Sequence, residues 1–482
     1  MVSEPLRGSV LALDQGGHGS RALLFDDAGE PIAEAHVPVA THTEAPDIVE
    51  QDARELAKSL QLAASDACAA ASARDVTVRA AGLATQRSTI VCWRRSTGQP
   101  LTEAISWQDR RNARWLECLR PAAEEVRSRT GLVLSPHYGA SKMRWCLDHV
   151  PAVQQAARAG DLATGPLSSF LLARLLEERP IVADPANASR TLLFDPGALD
   201  WSPQLLEAFG IERAWLPTCV PTRHAFGRLL AGGRVIPLVA CTGDQSAAAY
   251  AFGSPDESTA LVNVGTGAFV QRVASADATL PDGLLRSVLR SDGSTVTYSH
   301  EGTVNGAASA LEWLRGRVAL DLERALGSLP ADPPAEAPLF MNGVGGLGAP
   351  FWKADFPVEF VGPGDDQQQL VAVIESIAFL LCASLEAMHR CAPLRRIRIA
   401  GGLARCDYLC RALASASGIA VDRHVVREAT ARGIAFLAAG EPSLWRHPPV
   451  ERAFPPAPSG ALAARHARWR HEMSRRGATV GR

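Results

Sequence analysis

The sequence predicts an α/β protein built from two domains, and three observations support this. The chain has 482 residues, which is too long for a single hydrophobic core. Its hydrophobic content of 47% is sufficient for two cores. A short apolar strand, a glycine-containing turn and a second strand occur near the start of each half, over 10–26 and 261–271. Because glycine turns expose backbone N–H groups to a phosphate, we expect two related domains that bind one nucleotide.

The composition argues against several classes of protein. A net charge of −2, with acids and bases interspersed, indicates neither nucleic-acid binding nor membrane binding. Ten cysteines without a signal-peptide pattern indicate reduced thiols and a cytoplasmic location. Cys406 and Cys410 have helical spacing, but no zinc-spaced ligand flanks them, so we expect no metal site there. The sequence contains no uninterrupted run of 18 apolar residues, so it predicts no membrane-spanning helix. The basic stretch 461–482 predicts a solvated terminal helix, with an interaction tail as the alternative.

The first glycine turn follows the apolar run 10–13. Asp14 ends this strand, and Gly16, Gly17 and His18 lie in the turn before the next one. A plain hairpin seldom has an aspartate at the end of its buried strand. Asp14 is therefore a candidate to hold a metal ion or a metal-bound water, with stabilisation of the turn as the alternative.

Apolar spacing and turn residues predict the elements that follow. These are a helix over 50–73, strands over 78–85, 90–93 and 104–107, a loop over 130–138, a helix over 140–149, a polar loop over 184–194, a connector over 227–233 and a strand over 235–240. Arg87 and Trp107 fall at or near strand ends, where a guanidinium binds hydroxyl groups and an indole covers a carbon chain. A surface ion pair for Arg87 and a place in the core for Trp107 are the alternatives.

The segment 238–249 is central to the prediction. An apolar strand runs into Gly243, Asp244 and Gln245, and an alanine-rich helix follows. Open α/β sheets bind ligands at the carboxyl ends of their strands. A carboxylate there accepts a proton from a hydroxyl, helps to hold a metal ion, or caps the helix.

The second half repeats the strand, turn and strand of the first. Gly265, Thr266 and Gly267 form its turn. Further on, a strand over 397–400 ends in Gly401 and Gly402, where the backbone can approach a base or a ribose. The other predicted elements are a long helix over 368–389, a helix over 405–417, and a proline-rich link over 448–458 before the terminal helix.

Taken together, these motifs resemble the FGGY carbohydrate kinases, and within them the glycerol-kinase-like branch. The match runs from about residue 9 to about residue 440, with the motifs in the family's order. The motifs are Leu13-Asp14-Gln15-Gly16, Ser20-Arg21-Ala22, Thr85-Gln86-Arg87, Trp107-Gln108-Asp109-Arg110-Arg111, Asn187-Ala188-Ser189-Arg190-Thr191, Gly243-Asp244-Gln245, Gly265-Thr266-Gly267, Gly346-Leu347-Gly348-Ala349-Pro350-Phe351-Trp352 and Gly401-Gly402.

The resemblance implies an α/β fold of two ribonuclease-H-like domains of the actin/Hsp70 superfamily, with a cleft between them that closes on ATP and a small polyol or sugar. An N-terminal domain, 8–246, would carry the substrate and phosphate side. A C-terminal domain, 247–445, would carry the nucleotide side, and 446–482 would be a proline-rich link and terminal helix. The family's habit also implies a cytoplasmic homodimer or homotetramer that binds neither nucleic acid nor membrane.

The resemblance also implies roles for particular residues. Asp244 would be the general base, and Asp14 and Asp244 would lie near Mg²⁺. Substrate contacts would come from Arg87, Trp107, His137, Asp244, Gln245 and Phe269. Nucleotide contacts would come from Gly16, Gly17, His18, Gly265, Thr266, Gly267, Ala308, Glu312, Gly401, Gly402 and Cys406.

Several positions depart from the family pattern. Ser88 replaces a glutamate after the substrate arginine, and His137 replaces a tyrosine, so we expect a tetritol, pentitol or ketose to be a better substrate than glycerol. Gly17 and His18 replace two threonines of the first phosphate turn, and His18 is either a phosphate donor or a turn residue. At the nucleotide positions, Ala308, Glu312 and Cys406 replace a glycine, a glutamine and an asparagine.

These departures leave three functional hypotheses open. The sequence favours an ATP-dependent kinase that phosphorylates a hydroxyl of a small polyol or sugar. A degenerate nucleotide-binding or regulatory protein on the same scaffold is the alternative, supported by the altered first turn. Hydrolysis of ATP without an acceptor is the third hypothesis, and the presence of Arg87 and Trp107 argues against it.

Overall fold

The computed structural model describes residues 8–72, 76–330, 337–426 and 428–480. They form two compact units, each made of non-contiguous parts of the chain. The first unit comprises the described parts of Met1–Ser254, Ser287–Tyr298 and Glu428–His447. The second comprises those of Pro255–Arg286, Ser299–Arg427 and Pro448–Arg482. The domain limits predicted from the sequence stay a prediction.

Strands and helices alternate along both units. The strands are β1 Ser9–Gln15, β2 Gly19–Phe25, β3 Pro31–Pro38, β4 His42–Ala45, β5 Ile48–Gln51, β6 Val78–Thr85, β7 Ile90–Arg94, β8 Ala104–Ile105, β9 Leu162–Pro166, β10 Val182–Ala183, β11 Phe194–Asp195, β12 Asp200–Trp201, β13 Thr218–Cys219, β14 Arg223–Ala231, β15 Arg234–Gly243, β16 Thr259–Val264, β17 Ala268–Ala274, β18 Leu285–Ser291, β19 Val296–Val304, β20 Leu339–Asn342, β21 Val358–Val361, β22 Arg396–Ala400, β23 Ala420–His424 and β24 Val450–Phe454. The α-helices are α1 Ala53–Ser72, α2 Ala113–Leu116, α3 Ala123–Thr130, α4 Gly139–His149, α5 Pro151–Arg158, α6 Leu167–Leu175, α7 Pro185–Ser189, α8 Pro203–Phe209, α9 Asp244–Ala248, α10 Ala308–Arg315, α11 Leu322–Gly327, α12 Asp366–Cys391, α13 Asp407–Ser417, α14 Ala429–Ala438 and α15 Gly460–Arg475.

The first unit is built on a mixed sheet with the order β14-β15-β6-β1-β2-β3. β1 pairs antiparallel with β2 and parallel with β6, and β6 pairs parallel with β15. Helices α1 and α14 pack against this sheet. Gly82 of β6 permits the close approach of α14, since a Cβ there would lie 2.8 Å from Ile434 Cγ1. The parallel strands therefore bring the ends of β1, β6 and β15 to one edge.

The second unit repeats this arrangement. Strands β19, β17, β16, β22 and β23 are neighbours in that order, and β24 follows at the edge. β16 pairs antiparallel with β17 and parallel with β22, and β22 pairs parallel with β23. The same pattern of one antiparallel and two parallel pairings thus occurs in both units. The predicted two-domain α/β fold is confirmed.

Helix α12 supplies much of the core of the second unit. It begins with a capping box, in which Asp365 accepts from the backbone of Gln368 and the Gln368 side chain accepts from the backbone of Asp365. By length and hydropathy it is the one helix among the described residues that is able to cross a membrane. However, 89% of its apolar window is buried inside the protein, as in the core helices of globular proteins.

Two predicted loops contain regular structure instead. The connector predicted over 227–233 is mostly strand, because β14 continues to Ala231 and pairs antiparallel with β15. The polar loop predicted over 184–194 contains the buried helix α7. Its N-cap is Asp184, whose Oδ2 accepts from Asn187 N at 3.0 Å. Glycines misled the first prediction, because the strand pairing of β14 with β15 is not visible locally. Polarity misled the second, because its polar groups bond to one another within the fold.

The C-terminal predictions also need correction. The proline-rich link contains β24, which pairs antiparallel with β23. The terminal helix α15 is not a solvated helix, because it buries Leu462, Trp469 and Met473. Its Arg465 is 2% exposed, and the Nε atom donates to Glu375 Oε2 at 2.8 Å. An arginine with a buried carboxylate partner fixes this helix to α12, which its basic composition does not reveal.

Candidate functional site

The first glycine turn is held in place by side chains from outside the hairpin. Gly16 N donates to Gly19 O at 3.0 Å and closes the turn. The carbonyl of Gly17 accepts from Gln51 Nε2 at 2.8 Å and from Thr41 Oγ1 at 3.1 Å. His18 is exposed. The turn thus has a fixed main chain despite its glycines, and it presents the His18 side chain to solvent.

Asp14 lies directly before this turn and is buried. Its register partner on β6 is Ala84, which is also the partner of Thr242 on β15. This shared register brings Asp14 and the residues after β15 to the same sheet edge. Burial raises the pKa of the Asp14 carboxyl to about 7; the nearby Arg21 guanidinium opposes this shift, whereas the Asp244 charge adds to it.

Two further charged groups surround this carboxyl, and the sequence reasoning did not assign a role to either. Arg21 Nη1 lies 3.4 Å from Asp14 Oδ2 and also 3.4 Å from Glu428 Oε2. Burial raises the pKa of Glu428, which precedes α14. Arg21 lies on the strand directly after the turn, and this position is a sequence signal that could have predicted its place near Asp14. Glu428 is distant in sequence from Asp14, so no local pattern could have predicted its place.

Asp244 begins α9 at the end of β15. Its Oδ1 accepts from Gln245 N at 2.7 Å and lies 3.7 Å from Arg87 Nε. Gly243 makes this approach possible, because a Cβ at that position would lie 2.5 Å from Arg87 Cγ. The N-cap residue of α9 is Gly243 and not Asp244. The structure therefore brings Asp14, Arg87, Asp244 and Gln245 to one edge of the first unit.

The residue after Arg87 has an unusual backbone and an unusual side chain. Ser88 has a φ of 66°, in the left-handed region that non-glycine residues rarely adopt. Its Oγ atom is buried and has no hydrogen-bond partner among the described residues. Backbone strain of this kind concentrates at functional sites. Ser88 therefore combines a strained backbone with an unpartnered buried hydroxyl, directly after Arg87.

Trp107 and His137 lie against each other, with ring centroids 5.7 Å apart and an angle of 66° between their planes. The backbone N–H of Trp107 donates to Thr89 Oγ1 at 3.1 Å, which holds the Trp107 main chain beside the segment after Arg87. Burial holds the pKa of His137 well below its ordinary value, and the charges of Arg190 and Lys142 lower it further. The imidazole is therefore neutral near pH 7.

In the second unit, the predicted nucleotide residues surround the turn between β16 and β17. Gly265 N donates to Gly267 O at 2.9 Å. Ala308 N donates to Gly265 O at 3.0 Å, so the turn lies on the first residues of α10. Thr266 is exposed. The structure therefore brings Gly265, Thr266, Gly267 and Ala308 together.

The glycine pair after β22 lies beside the same turn. Gly401 has a φ of 96°, and a Cβ there would lie 2.5 Å from Val264 O at the end of β16. Gly402 is exposed, and a Cβ there would have no atom within 4 Å. The backbone at Gly401 thus requires glycine for steric reasons, whereas Gly402 leaves open space.

The other predicted residues of the second unit are more dispersed. Cys406 is 5% exposed and precedes α13, with its pKa raised by burial. Glu312 is exposed on α10 and pairs with Arg315 at 3.3 Å. Phe269 is half-buried on β17. Burial of Cys406 leaves little of its side chain for a ligand.

Within the described ranges, no group of three or more histidine, cysteine, aspartate or glutamate side chains could hold a metal ion. Two carboxylates nevertheless suit Mg²⁺, which binds through one or two carboxylates together with substrate phosphates and water. Asp14 and Asp244 supply such a pair, and the negative charge of Asp244 raises the pKa of the Asp14 carboxyl. A divalent cation would relieve this repulsion, so these residues fit the ion.

Two family models match almost the whole chain. Residues 9–251 match the N-terminal domain of the FGGY family of carbohydrate kinases, and residues 260–440 match its C-terminal domain. The glycerol kinase of Leptothrix cholodnii is 34% identical over 488 residues, covering 96% of this chain and 98% of that protein. The glycerol kinase of Geobacter sp. strain M21 is 34% identical over 441 residues, covering 89% of each chain.

Solved structures show the same fold. Plasmodium falciparum glycerol kinase with ADP has a TM-score of 0.89 at 22% identity, covering 98% of this chain and 99% of that one. Xylulose kinase from Rhodospirillum rubrum has a TM-score of 0.83 at 17% identity, covering 97% of this chain and 98% of that one. At these identities the likeness concerns the fold.

Proposed function

Since this chain belongs to the FGGY family of carbohydrate kinases, we propose a role for each site residue in the transfer of a phosphoryl group from ATP to a hydroxyl of a polyol or sugar. The chain is an ATP-dependent kinase with an alcohol group as acceptor. Phosphoryl transfer needs positioning, neutralisation of charge and one base for the acceptor hydroxyl. The observation that carries the proposal is the joint placement of Asp14, Arg87 and Asp244 at one sheet edge.

Asp244 is the general base. Its carboxylate takes the proton of the acceptor hydroxyl while the oxygen forms a bond to the γ-phosphorus, and the bond from that phosphorus to the leaving ADP oxygen breaks. Arg87, with its Nε 3.7 Å from Asp244 Oδ1, orients both the base and the acceptor. The same carboxylate and Asp14 would hold Mg²⁺, which neutralises the charge of the phosphates when bound.

The acceptor is held by Arg87, Trp107, His137 and Gln245, with Phe269 as a further contact. A neutral His137 both donates and accepts hydrogen bonds, which suits a hydroxyl group. The unpartnered Ser88 Oγ offers another partner. Serine is shorter than the glutamate that it replaces in the family pattern, which favours an acceptor with an additional carbon. We therefore propose a tetritol, pentitol or ketose as the best acceptor, with glycerol, the substrate named for the curated relatives, as the competing candidate.

The nucleotide is bound chiefly by backbone groups. In the first domain, Gly16, Gly17 and His18 contact phosphate. In the second domain, Gly265, Thr266 and Gly267 contact phosphate, and Gly401 and Gly402 contact the adenosine. Ala308, Glu312 and Cys406 border this region, and the burial of Cys406 supports only a minor contact. We further propose a cytoplasmic homodimer or homotetramer, which light scattering of the purified protein would test.

An ADP-release assay with ATP and Mg²⁺ tests the proposal. The panel contains glycerol, tetritols, pentitols and pentuloses, each compared with a reaction without acceptor. We expect a tetritol, pentitol or pentulose to give the highest kcat/KM. Preference for glycerol would contradict the proposed acceptor class. A flat panel without ATP binding would favour a degenerate or regulatory protein on the same scaffold over a kinase.

A further inference from the structure

Lys142 is a buried lysine in a chain that almost always uses arginine. Only three of the 49 lysine and arginine residues are lysines, namely Lys58, Lys142 and Lys353. Lys142 lies in the first turn of α4 and is 1% exposed. A fully buried cation without a carboxylate partner is costly, so such a residue is seldom kept without a specific contact.

The ammonium of Lys142 makes two hydrogen bonds, and both go to main-chain carbonyls. Nζ donates to Ser88 O at 3.0 Å and to His137 O at 2.8 Å. Ser88 directly follows Arg87, and the ring of His137 packs against Trp107. One side chain therefore joins the two segments that carry the proposed acceptor contacts, although 50 residues separate them in sequence.

An ion pair does not explain the buried position of Lys142. The nearby Asp109 carboxylate is engaged by Arg111, whose Nη2 lies 2.7 Å from Asp109 Oδ2. Arg111 Nη2 also lies 2.7 Å from Glu50 Oε1. Burial lowers the pKa of Lys142 to about 7, because the charge of Asp109 offsets only part of the cost of removing the amine from water. A neutral amine still has two N–H groups, which is the number that the two carbonyls require.

We propose that Lys142 is a positioning residue that fixes the Arg87–Ser88 segment against the His137 loop and thereby sets the width of the acceptor site. This inference rests on the proposed function. An arginine could not serve in the same way, because its guanidinium is larger, planar and permanently charged. The left-handed backbone of Ser88 also needs an external contact to persist, and the hydrogen bond from Lys142 to its carbonyl supplies one.

Lys142→Met tests this inference, because methionine is unbranched and of similar length but donates no hydrogen bond. Lys58→Met is the matched control, since Lys58 is exposed on α1. We expect Lys142→Met to raise the acceptor KM at least tenfold while the ATP KM stays within twofold, and Lys58→Met to change neither. Equal increases in both KM values, or no change in either, would overturn the inference.

Hydrogen exchange supplies a second readout that needs no turnover. In Lys142→Met we expect amides in 86–91 and 135–141 to exchange at least tenfold faster, with amides in 263–269 unchanged. If the wild-type protein phosphorylates no acceptor, the proposed function fails but this readout still decides the role of Lys142. Unchanged exchange in both segments, or faster exchange throughout the first unit, would overturn it.

Discussion

The proposed acceptor region of the first unit and the proposed nucleotide region of the second are built differently. The acceptor region consists of side chains that are buried or half-buried, among them Arg87, His137 and Lys142. The nucleotide region consists mainly of exposed turns, in which Gly265, Thr266 and Gly401 present backbone. Side chains discriminate among hydroxyl patterns, whereas backbone N–H groups bind phosphate regardless of what else the ligand carries.

This difference predicts different consequences for the departures from the family pattern in the two regions. Ser88 and His137 alter the acceptor region by changing side chains, which changes which hydroxyl groups find a partner. Gly17 and His18 alter a turn whose main chain is still fixed by Gln51 and Thr41. Substrate preference is therefore expected to change more than the affinity for ATP.

The largest expected effect comes from Asp244→Asn. The amide has nearly the same shape but cannot take up the acceptor proton, so we expect kcat to fall about 10²- to 10⁴-fold. Binding of ATP, measured by calorimetry, should change by less than about fivefold. Because Asp244 belongs to the acceptor side of the comparison, retained turnover in Asp244→Asn would contradict its role as the general base, and a loss of ATP binding would contradict its place on the acceptor side.

Two glycine substitutions separate the two regions more directly. A Cβ at Gly243 would lie 2.5 Å from Arg87 Cγ, so Gly243→Ala should displace Arg87 and raise the acceptor KM about tenfold or more. A Cβ at Gly401 would lie 2.5 Å from Val264 O, so Gly401→Ala should raise the ATP KM by a similar factor. Steady-state kinetics with each substrate varied in turn measures both effects.

The control for this pair is Gly402→Ala, because a Cβ there would meet no atom within 4 Å. We expect its KM values to stay within about threefold of wild type. If Gly243→Ala raised the ATP KM, or Gly401→Ala the acceptor KM, the assignment of the two regions to different substrates would be wrong.

The sequence predicted the features that depend on local pattern. The strand over 78–85 is β6, and the turns after β1 and β16 lie where glycines and strand periodicity indicated them. The family, the fold and the kinase activity are likewise confirmed. Motif order sufficed here, because phosphate turns require particular residues at fixed places in the chain.

The features that the sequence did not reveal depend on distant partners. Lys142 lies in a helix with charged neighbours and has the pattern of a surface residue, and only the carbonyls of Ser88 and His137 explain its burial. Arg465 lies in a basic stretch, yet it pairs with Glu375, which is 90 positions away. Periodicity shows which face of a helix is apolar, but it cannot identify a buried polar partner in another segment.

The pH dependence of stability tests the acceptor region, because this region contains the buried amine of Lys142. The pKa of Lys142 is about 7 in the folded state, below the ordinary value of 10.5. Between these values the unfolded chain binds more protons, so stability rises with pH. From pH 7.5 to 9, the free energy of unfolding of wild type relative to Lys142→Met should rise by about 1.4 kcal/mol per pH unit.

Urea titrations of both proteins at each pH measure this difference. The groups that face Lys142 are the Asp109 carboxylate, which favours its charge, Arg110 and Arg111, which disfavour it, and His137, whose pKa is lowered by the Lys142 charge. All four remain in the variant, and His137 is neutral above pH 7.5, so the subtraction isolates Lys142 over this range. If the difference in free energy of unfolding between wild type and Lys142→Met were constant with pH, the buried amine would keep its proton, and the prediction would be wrong.

The smallest expected effect comes from His18→Ala on the phosphate side. The backbone of the turn is held by Gly19, Gln51 and Thr41, so removal of an exposed imidazole should leave the main chain in place. If the imidazole donates one hydrogen bond to a phosphate, its loss costs about 0.5–1.5 kcal/mol, which corresponds to about a 2- to 12-fold higher ATP KM. His42→Ala, at another exposed histidine, is the control. An unchanged ATP KM in His18→Ala would show that backbone groups alone bind the phosphate at this turn, and the two regions would then differ even more sharply than proposed.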